Sequence, residues 1–527
     1  MKKVIDLIRS KPLASIIILA LMLRLVAVFF AQGYGMHDDH FLVIEPSQSW
    51  VDGIDSEDWL PKNQQIQNSG HSFIYPGIHF LVFEFLQFTG ITDPSIKMYF
   101  IRLIHALWSL VIVILGFKIV DKLYNRKAAI QVGVLLASLW FMPFLSVRNL
   151  VEVASIPFLM IGSWMIINID HKKNSLLPYL WAGLILGVAF SFRYQTLIFS
   201  GGLWLVLVFY KKWKEALILG FGIVISLILL QGLVDYLLGS KPFHELMNYF
   251  SYNMKMKDAY GTKNVLMYVE LVPGMLIPPI GLFLFWGFLF KWKKYLILFL
   301  PTFLFFVFHS FFPNHQERFI LTIVPFIVIL GVMGWNEFAE KSKFWLQKPK
   351  LLKGCFSFFW SVNILLLVFT TTCYSKRARV ESMAYLSKHK AEVNNILVEE
   401  SNHNTVERLP VFYVGKWIHV FELGKQEQLS PKDSAKIITG SLISSQINRI
   451  EYFKNCPKSQ IPDFVLFASE WNLAKRIANI KKVFPFMTYE TTIQPGFVDR
   501  VMLKLNPFNQ NNPIVIFRTN ANKIIKQ

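Results

Sequence analysis

Apolar runs almost free of charge recur along this chain, and they limit its possible folds more than any other feature. Leu13–Phe30, Leu217–Leu230 and Leu296–Phe308 are three of them. About 20 apolar residues in a helix cross the hydrocarbon of a bilayer. Inside it every backbone N–H and C=O must bond within the protein, which selects helices for such runs. Composition agrees: 54% of the 527 residues are hydrophobic, 49 are Phe and only 17% are charged, too apolar a balance for a water-facing surface of this length.

Span length places eleven crossings at 12–32, 98–120, 128–146, 151–169, 178–194, 196–210, 216–238, 269–290, 295–312, 317–335 and 354–374. The run 196–210 is short enough to be re-entrant. The fold class expected is an all-α polytopic membrane protein with about 11 transmembrane helices and a C-terminal soluble α/β domain. The formal charge of +20 would suit nucleic acid in a soluble chain, but its placement excludes that partner. The cations form short clusters between the apolar runs: Lys2, Lys3, Arg9 and Lys11; Lys122, Arg126 and Lys127; Lys172 and Lys173; Lys211, Lys212 and Lys214. Lys291, Lys293 and Lys294 follow, then Lys341, Lys343, Lys348, Lys350 and Lys353. Basic loops stay in the cytoplasm. With the amino terminus inside, every cluster falls on that side and 375–527 falls outside.

The first run has a basic front like a signal peptide but is too long and lacks a good cleavage site, so an uncleaved anchor is expected. Cys355 and Cys373 bracket an apolar run, which argues against a disulfide between them, and no metal-type Cys or His spacing occurs. The outward loop 33–97 opens acidic, with Asp38, Asp39, Glu45, Asp52, Asp55, Glu57 and Asp58 against Lys62. Its second half, Ser72–Phe88, reads as an amphipathic stretch along the membrane surface. A second outward segment, 239–268, carries Lys241, His244, Glu245, Lys255, Lys257 and Asp258 among aromatics. From Ser375 charges become frequent. Arg377–Leu397 and Trp471–Lys482 look helical, and Val411–Val414, Phe464–Phe467 and Val501–Leu505 look like strands. Two domains are expected: 1–374, transmembrane and catalytic with loop 33–97, and 375–527, a soluble non-cytoplasmic domain of about 150 residues.

Polar residues at span ends gather on the outward face: Asp38-Asp39, Arg148-Asn149, Arg193, Asp235 and Asn314-His315-Gln316-Glu317-Arg318. Ionisable groups at membrane boundaries mark pathways or sites, although any one of them can be a solvated span end. Of two adjacent carboxylates, one can face a cleft and act as general base while the other accepts structural hydrogen bonds. Asp with flanking His can also ligate a divalent ion, but no second ligand cluster accompanies it, and no metal is assigned.

Four segments in order carry a family resemblance. Gly35-Met36-His37-Asp38-Asp39-His40-Phe41-Leu42-Val43-Ile44-Glu45 resembles the first-loop motif His-Pro-Asp-Glu-x-x-Gln-x-x-Glu of glycosyltransferase family 22. That family holds the mannosyltransferases of asparagine-linked-glycan and GPI-anchor assembly. Asp38, Asp39 and Glu45 take its acidic positions, whereas Met36, His37 and Leu42 depart from it. His71-Ser72-Phe73-Ile74-Tyr75-Pro76 is similar to the family's Arg-Ser-x-x-x-Pro, with His71 for Arg. Val234-Asp235-Tyr236, Gly239 and Asn248-Tyr249-Phe250-Ser251-Tyr252-Asn253 resemble a third segment, followed by Tyr260-Gly261-Thr262. His309-Ser310 and Pro313-Asn314-His315-Gln316-Glu317-Arg318-Phe319 resemble His-Ser-x-x-Pro-His-Lys-Glu-Glu-Arg-Phe, departing at Asn314, His315 and Gln316. The likeness covers roughly residues 10–340.

The resemblance implies the GT-C membrane fold and an inverting glycosyltransferase that uses a polyprenyl-phosphate-linked sugar donor of the dolichyl-phosphate mannose type. A hexose, mannose by the family's habit, passes to a glycan or glycolipid acceptor on the non-cytoplasmic face. No cofactor is implied, and membrane lipid is a partner. Asp38 is the candidate base, with Asp39 and Glu45 shaping its position and pKa. Arg318 is the first candidate for the departing phosphate, because its fork grips two oxygens, and His315 the second. Glu45, His71, Asp235, Glu317, Arg148 and Arg193 complete the expected substrate-binding set. The Lys-, Ile- and Asn-rich composition leans to a bacterial inner membrane with the site and tail domain on the periplasmic side. A related GT-C enzyme with another sugar or a protein acceptor is the neighbouring reading. A lipid or solute transporter or flippase is the distant one. It would favour ionisable residues at the midplane and repeated halves, which the sequence does not show.

Overall fold

The computed structural model describes residues 10–60, 70–169, 175–256, 264–400, 408–423, 438–441, 443–447, 449–505 and 511–520. Lys2, Lys3, Arg9, Lys62, Lys172, Lys173, Lys257, Asp258 and the Tyr260-Gly261-Thr262 motif lie outside them. The chain forms two compact units. The first comprises 1–31, 61–77 and 101–372, the second 32–60, 78–100 and 373–527.

Among the described residues, five helices are long and apolar enough to cross a membrane: Pro12–Phe30, Pro94–Leu123, Trp213–Leu237, Glu317–Ala339 and Pro349–Thr371. The shortest, at 19 residues, is about 28 Å long, close to the hydrocarbon thickness. Shorter apolar helices occupy other expected spans, among them Leu177–Phe192, Thr196–Phe209 and Leu296–Phe311. The expected span 128–146 is Arg126–Ser138 followed by Met142–Leu145. The span 269–290 is split into Met267–Met275 and Ile280–Leu289 around the cis Pro278-Pro279 bond. All eleven segments therefore carry helix, and five have crossing length by themselves. The surface stretch is the helix Ile74–Phe88, with Leu81, Phe85 and Phe88 exposed.

Large apolar side chains cover outward helix faces: Ile18, Met22 and Phe29; Leu217, Phe221 and Val224; Phe358, Leu365 and Val368. Water-soluble monomers rarely expose apolar surface on this scale, and a lipid-facing integral membrane protein does. Inside the first unit, small residues let helices touch. Leu177–Phe192 and Trp213–Leu227 meet at Gly183 and Gly222, and Ser226 Oγ donates to the Leu184 carbonyl at 2.8 Å. A Cβ on Gly183 would stand 2.2 Å from the Leu219 oxygen, and one on Gly222 2.5 Å from the Leu180 oxygen. Such small-residue contacts replace the hydrophobic drive that lipid removes. Arg24 is fully buried on Pro12–Phe30, where Nε donates to Ser109 Oγ at 2.7 Å and Nη1 to the Ala20 and Ala137 carbonyls.

The second unit is built on a seven-stranded sheet of order β3-β4-β2-β1-β5-β7-β6. Its strands are β1 Asn395–Glu399, β2 His419–Leu423, β3 Ile438–Ser441, β4 Ser444–Ile447, β5 Phe464–Phe467, β6 Thr488–Ile493 and β7 Ile514–Arg518. β4, β2, β1 and β5 run parallel, and the remaining strands pair antiparallel at the edges. β1 and β5 are buried along their whole length, as central parallel strands are. Phe464–Phe467 is the strand expected. Val411–Val414 is instead a 3-10 turn and Val501–Leu505 lies in the helix Phe497–Leu505. The helical expectation at Arg377–Leu397 ends early, because Arg377–Ser387 is helix and Asn395 already begins β1. Gly33, at φ +75°, pairs with Ser375, whose N–H donates to the Gln32 carbonyl at 3.0 Å. A Cβ there would fall 1.9 Å from the Ser375 oxygen.

Candidate active site

In the first unit three distant segments gather charged side chains. Glu152 lies in the short helix Val151–Ala154, Arg193 caps the end of Leu177–Phe192, and Arg318 sits in the 3-10 helix Glu317–Ile323. Glu152 Oε1 is 3.8 Å from Arg318 Nε and 4.0 Å from Arg193 Nη2, ion pairing at longer than hydrogen-bond distance. Arg193 Nη1 donates to Thr322 Oγ1 at 2.5 Å, and that hydroxyl donates to the Glu152 carbonyl at 3.2 Å. Arg318 Nε donates to Gln316 Oε1 at 2.8 Å. Among the described residues the buried Arg193 Nη2 and Glu152 Oε2 make no hydrogen bond. Two guanidiniums around one carboxylate leave one net positive charge. A buried donor without a partner costs about 1–3 kcal/mol. The arrangement therefore suits an anion bearing several acceptor oxygens, which arginine forks hold best.

A polar chain runs from this cluster. Arg193 Nε donates to Gln195 Oε1 at 3.4 Å, and the Gln195 amide donates to the Tyr249 hydroxyl. Tyr249 packs edge-on against Tyr194, whose hydroxyl donates to Gln231 Oε1 at 3.0 Å. Gln231 Nε2 reaches Ser72 Oγ at 2.8 Å. Gln231 lies in the π-helical turn Ile228–Gly232, a device common at functional sites. Asp235, one turn on, is buried and accepts the Glu245 N–H at 3.3 Å, holding the start of His244–Lys255. Glu245 in turn accepts the Gly70 N–H at 2.5 Å, beside His71, which is half-buried. Both ring nitrogens of His315 face backbone carbonyls, those of Pro313 and Ser310, at 2.9 Å. They tie the loop ahead of Arg318. Glu317 is exposed, and Arg148 is buried with its guanidinium 4.4 Å from the Phe144 ring centre.

The second unit holds the acidic first-loop motif. His37–Phe41 forms a short helix in which Asp39 is buried, its two oxygens accepting the Gly35 and Met36 N–H groups at 2.9 and 3.0 Å. Asp38 is half-exposed. Of the carboxylate pair, Asp39 is the buried member bonded to backbone and Asp38 the more accessible one. Glu45 has no solvent exposure. It lies 3.3 Å from Arg408 Nη2 and 3.6 Å from His40 Nε2, and accepts the Phe412 N–H at 3.2 Å. Arg408 also forks onto Glu57. His40 stacks between Tyr34 and Tyr413, at 5.0 and 5.6 Å between ring centres. Burial alone would raise the Glu45 pKa, but His40, Arg408 and the Phe412 N–H hold it below the usual carboxylate range.

Of the expected residues, Arg193 and Arg318 come together in the first unit, and Asp38, Asp39 and Glu45 in the second. Glu152 and Arg408 were not anticipated. Glu152 had a signal, being the one acidic residue in the apolar run 151–169. Arg408 had none, since it lies in the tail beyond every motif.

The Alg9-like mannosyltransferase family model matches residues 15–419. Among solved structures, ArnT from Cupriavidus metallidurans in its apo state is similar at 12% identity and a TM-score of 0.62, over 97% of this chain and 98% of that one. ArnT bound to undecaprenyl phosphate matches at 12% identity and a TM-score of 0.59, over 96% and 97%. The apo oligosaccharyltransferase of Archaeoglobus fulgidus matches at 9% identity and a TM-score of 0.50, over 92% of this chain and 73% of that one. At these identities the likeness is one of fold. No match was found among curated proteins.

Proposed function

This chain belongs to the Alg9-like mannosyltransferase family and is a GT-C glycosyltransferase, and from that premise we propose that it transfers mannose from polyprenyl-phosphate mannose to a glycan or glycolipid. Asp38 takes the proton of the acceptor hydroxyl, whose oxygen then attacks the anomeric carbon. The bond to the phosphate breaks with its electrons, polyprenyl phosphate departs, and the anomeric configuration inverts. Asp39 positions Asp38 through the backbone of their shared helix turn. Arg193 and Arg318 meet the charge growing on the leaving phosphate, and Glu152 holds the two guanidiniums toward one another. Preorganised donors of this kind contribute several kcal/mol to the barrier reduction.

The observation that carries the reading is the net-positive Arg193–Glu152–Arg318 cluster, in which the buried Arg193 Nη2 faces Glu152 at ion-pair distance but makes no hydrogen bond among the described residues. A solved chain of the same fold bound to undecaprenyl phosphate supports a polyprenyl-phosphate donor. We further propose eleven crossings, a bacterial inner membrane, and a site and tail domain on the periplasmic side, on the strength of the basic-loop parity.

The test is transfer of labelled mannose from a short-chain polyprenyl-phosphate mannose by purified protein. Wild type should turn over. Asp38→Asn should lose orders of magnitude in kcat while still binding donor. Arg318→Gln should lose about 10²–10³ in kcat, the usual loss when one charge-stabilising donor is removed. Full activity in Asp38→Asn would remove Asp38 from the chemistry. Turnover only with another polyprenyl-phosphate sugar would keep the reaction and change the donor.

A further inference from the structure

The second unit contains a cavity of about 220 Å³ that the chemistry above does not use. Gln48 and Asp52 line it from the helix Ile44–Val51 and its cap, and Gln87 and Lys97 from the segment that follows. Lys390, Lys416 and Trp417 line it from the C-terminal part of the chain. Lys97 is 2% exposed. Its ammonium donates to Gln48 Oε1 at 2.8 Å and Gln87 Oε1 at 3.2 Å, both neutral amide oxygens. An ammonium has three donors; the Phe83 ring centre lies 5.7 Å from it, and Asp52 and Glu84 are the carboxylates that act on it through space.

The lining carboxylate is committed elsewhere. Asp52 Oδ1 accepts the Gln48 amide at 3.1 Å, and Oδ2 accepts Trp417 Nε1 at 2.7 Å. One hydrogen-bonded chain, Trp417–Asp52–Gln48–Lys97, thus fixes an aromatic ring, an amide and a cation around the cavity. Lys416 contacts the neutral Asn394 Oδ1 at 3.3 Å, and Lys390 is exposed at the rim. Three lysines against Asp52 leave two net positive charges on the lining. Trp417 offers a flat apolar face with one polar edge, and the amides and lysines around it are converging hydrogen-bond partners. The volume holds roughly seven waters at about 30 Å³ each, room for one sugar unit rather than several.

We propose that this cavity binds an anionic sugar, one bearing a phosphate or carboxylate, within the acceptor glycan. The proposal rests on the glycosyl-transfer reading for the word acceptor only. The cavity and the acidic motif share a scaffold: Phe412 lines the cavity and gives its N–H to Glu45. The helix that supplies Gln48 also begins just after the turn bearing Asp38.

Full-length protein in phosphatidylcholine nanodiscs tests this with radiolabelled glucuronate, mannose 6-phosphate and mannose. Both anionic sugars should bind about tenfold or more tighter than mannose, a difference of one charge-assisted contact. Lys390→Ala with Lys416→Ala, both at accessible positions, should weaken them by a similar factor at unchanged melting temperature. Lys97→Met should abolish the preference for the anion. Equal binding of mannose, no binding at all, or indifference to the lysine variants would overturn the site. Inorganic phosphate binding as tightly as the sugars would reduce it to a simple anion site. Displacement by phosphatidylglycerol in the nanodisc would identify a lipid headgroup and refute the acceptor assignment. The readout needs neither donor nor turnover, so its failure and that of the transfer reaction are separable.

Discussion

An ionised carboxylate without solvent, as at Glu45, stands only because its partners outweigh its burial. Its folded-state pKa lies below the unfolded value of about 4.3. Between the two, the unfolded chain binds the extra proton, so stability rises with pH across that window. The contribution is fully present above the ordinary Glu value and is lost as pH falls through the lowered one. Glu45→Gln should therefore lower the melting temperature at neutral pH and flatten its fall in acid. The cost should be on the order of 3 kcal/mol, the low end for a broken buried pair, because Arg408 keeps Glu57. Melts of both proteins from acid to neutral pH measure this, and parallel acid limbs would refute it. The motif named Asp38 as the base, but the physical difference between the two adjacent carboxylates arises only where the turn at Gly35 and Met36 points its N–H groups at Asp39.

At the scale of elements, the helix pair Leu177–Phe192 and Trp213–Leu227 sets where Arg193 begins. A side chain at Gly183 has no space, since backbone rather than a movable side chain blocks it. Gly183→Leu should force the helices apart, cost upwards of about 2 kcal/mol as overpacking does, and lower transfer by moving Arg193. Gly201→Ala, with nothing within 4 Å of its added Cβ, should leave melting and activity near wild type. Equal melting of the two variants would count against the packing argument. The strand expected at Val501–Leu505 forms instead as part of a helix. Of its five residues only Val501 favours strand, Met502, Leu503, Lys504 and Leu505 being good helix formers, and the apolar positions Phe497, Val501 and Leu505 repeat every four residues, which is a helical face. At Val411–Val414 the buried run is held as a turn, with Gly415 closing it at φ +73°.

At the scale of the whole molecule, orientation follows from where the basic clusters fall. Reporters fused after Lys127 and after Lys294 should read cytoplasmic, and one after Asn264 should read outside. A cytoplasmic reading at Asn264 would break the span parity on which the proposed outward placement of the site depends. The sequence alone determined the helical membrane architecture, the presence of a sheet-forming tail, and the family. Hydropathy over a single span and short motifs are local properties, legible without any contact. The tertiary structure decided which charges meet. Arg193 and Thr322 are 129 residues apart, and Arg408 and Glu45 are 363 apart. The sheet likewise places β5 beside β1 rather than beside β4, its predecessor in the chain. Such pairings are set by how helices and strands pack over hundreds of residues, and a linear pattern carries no register for them.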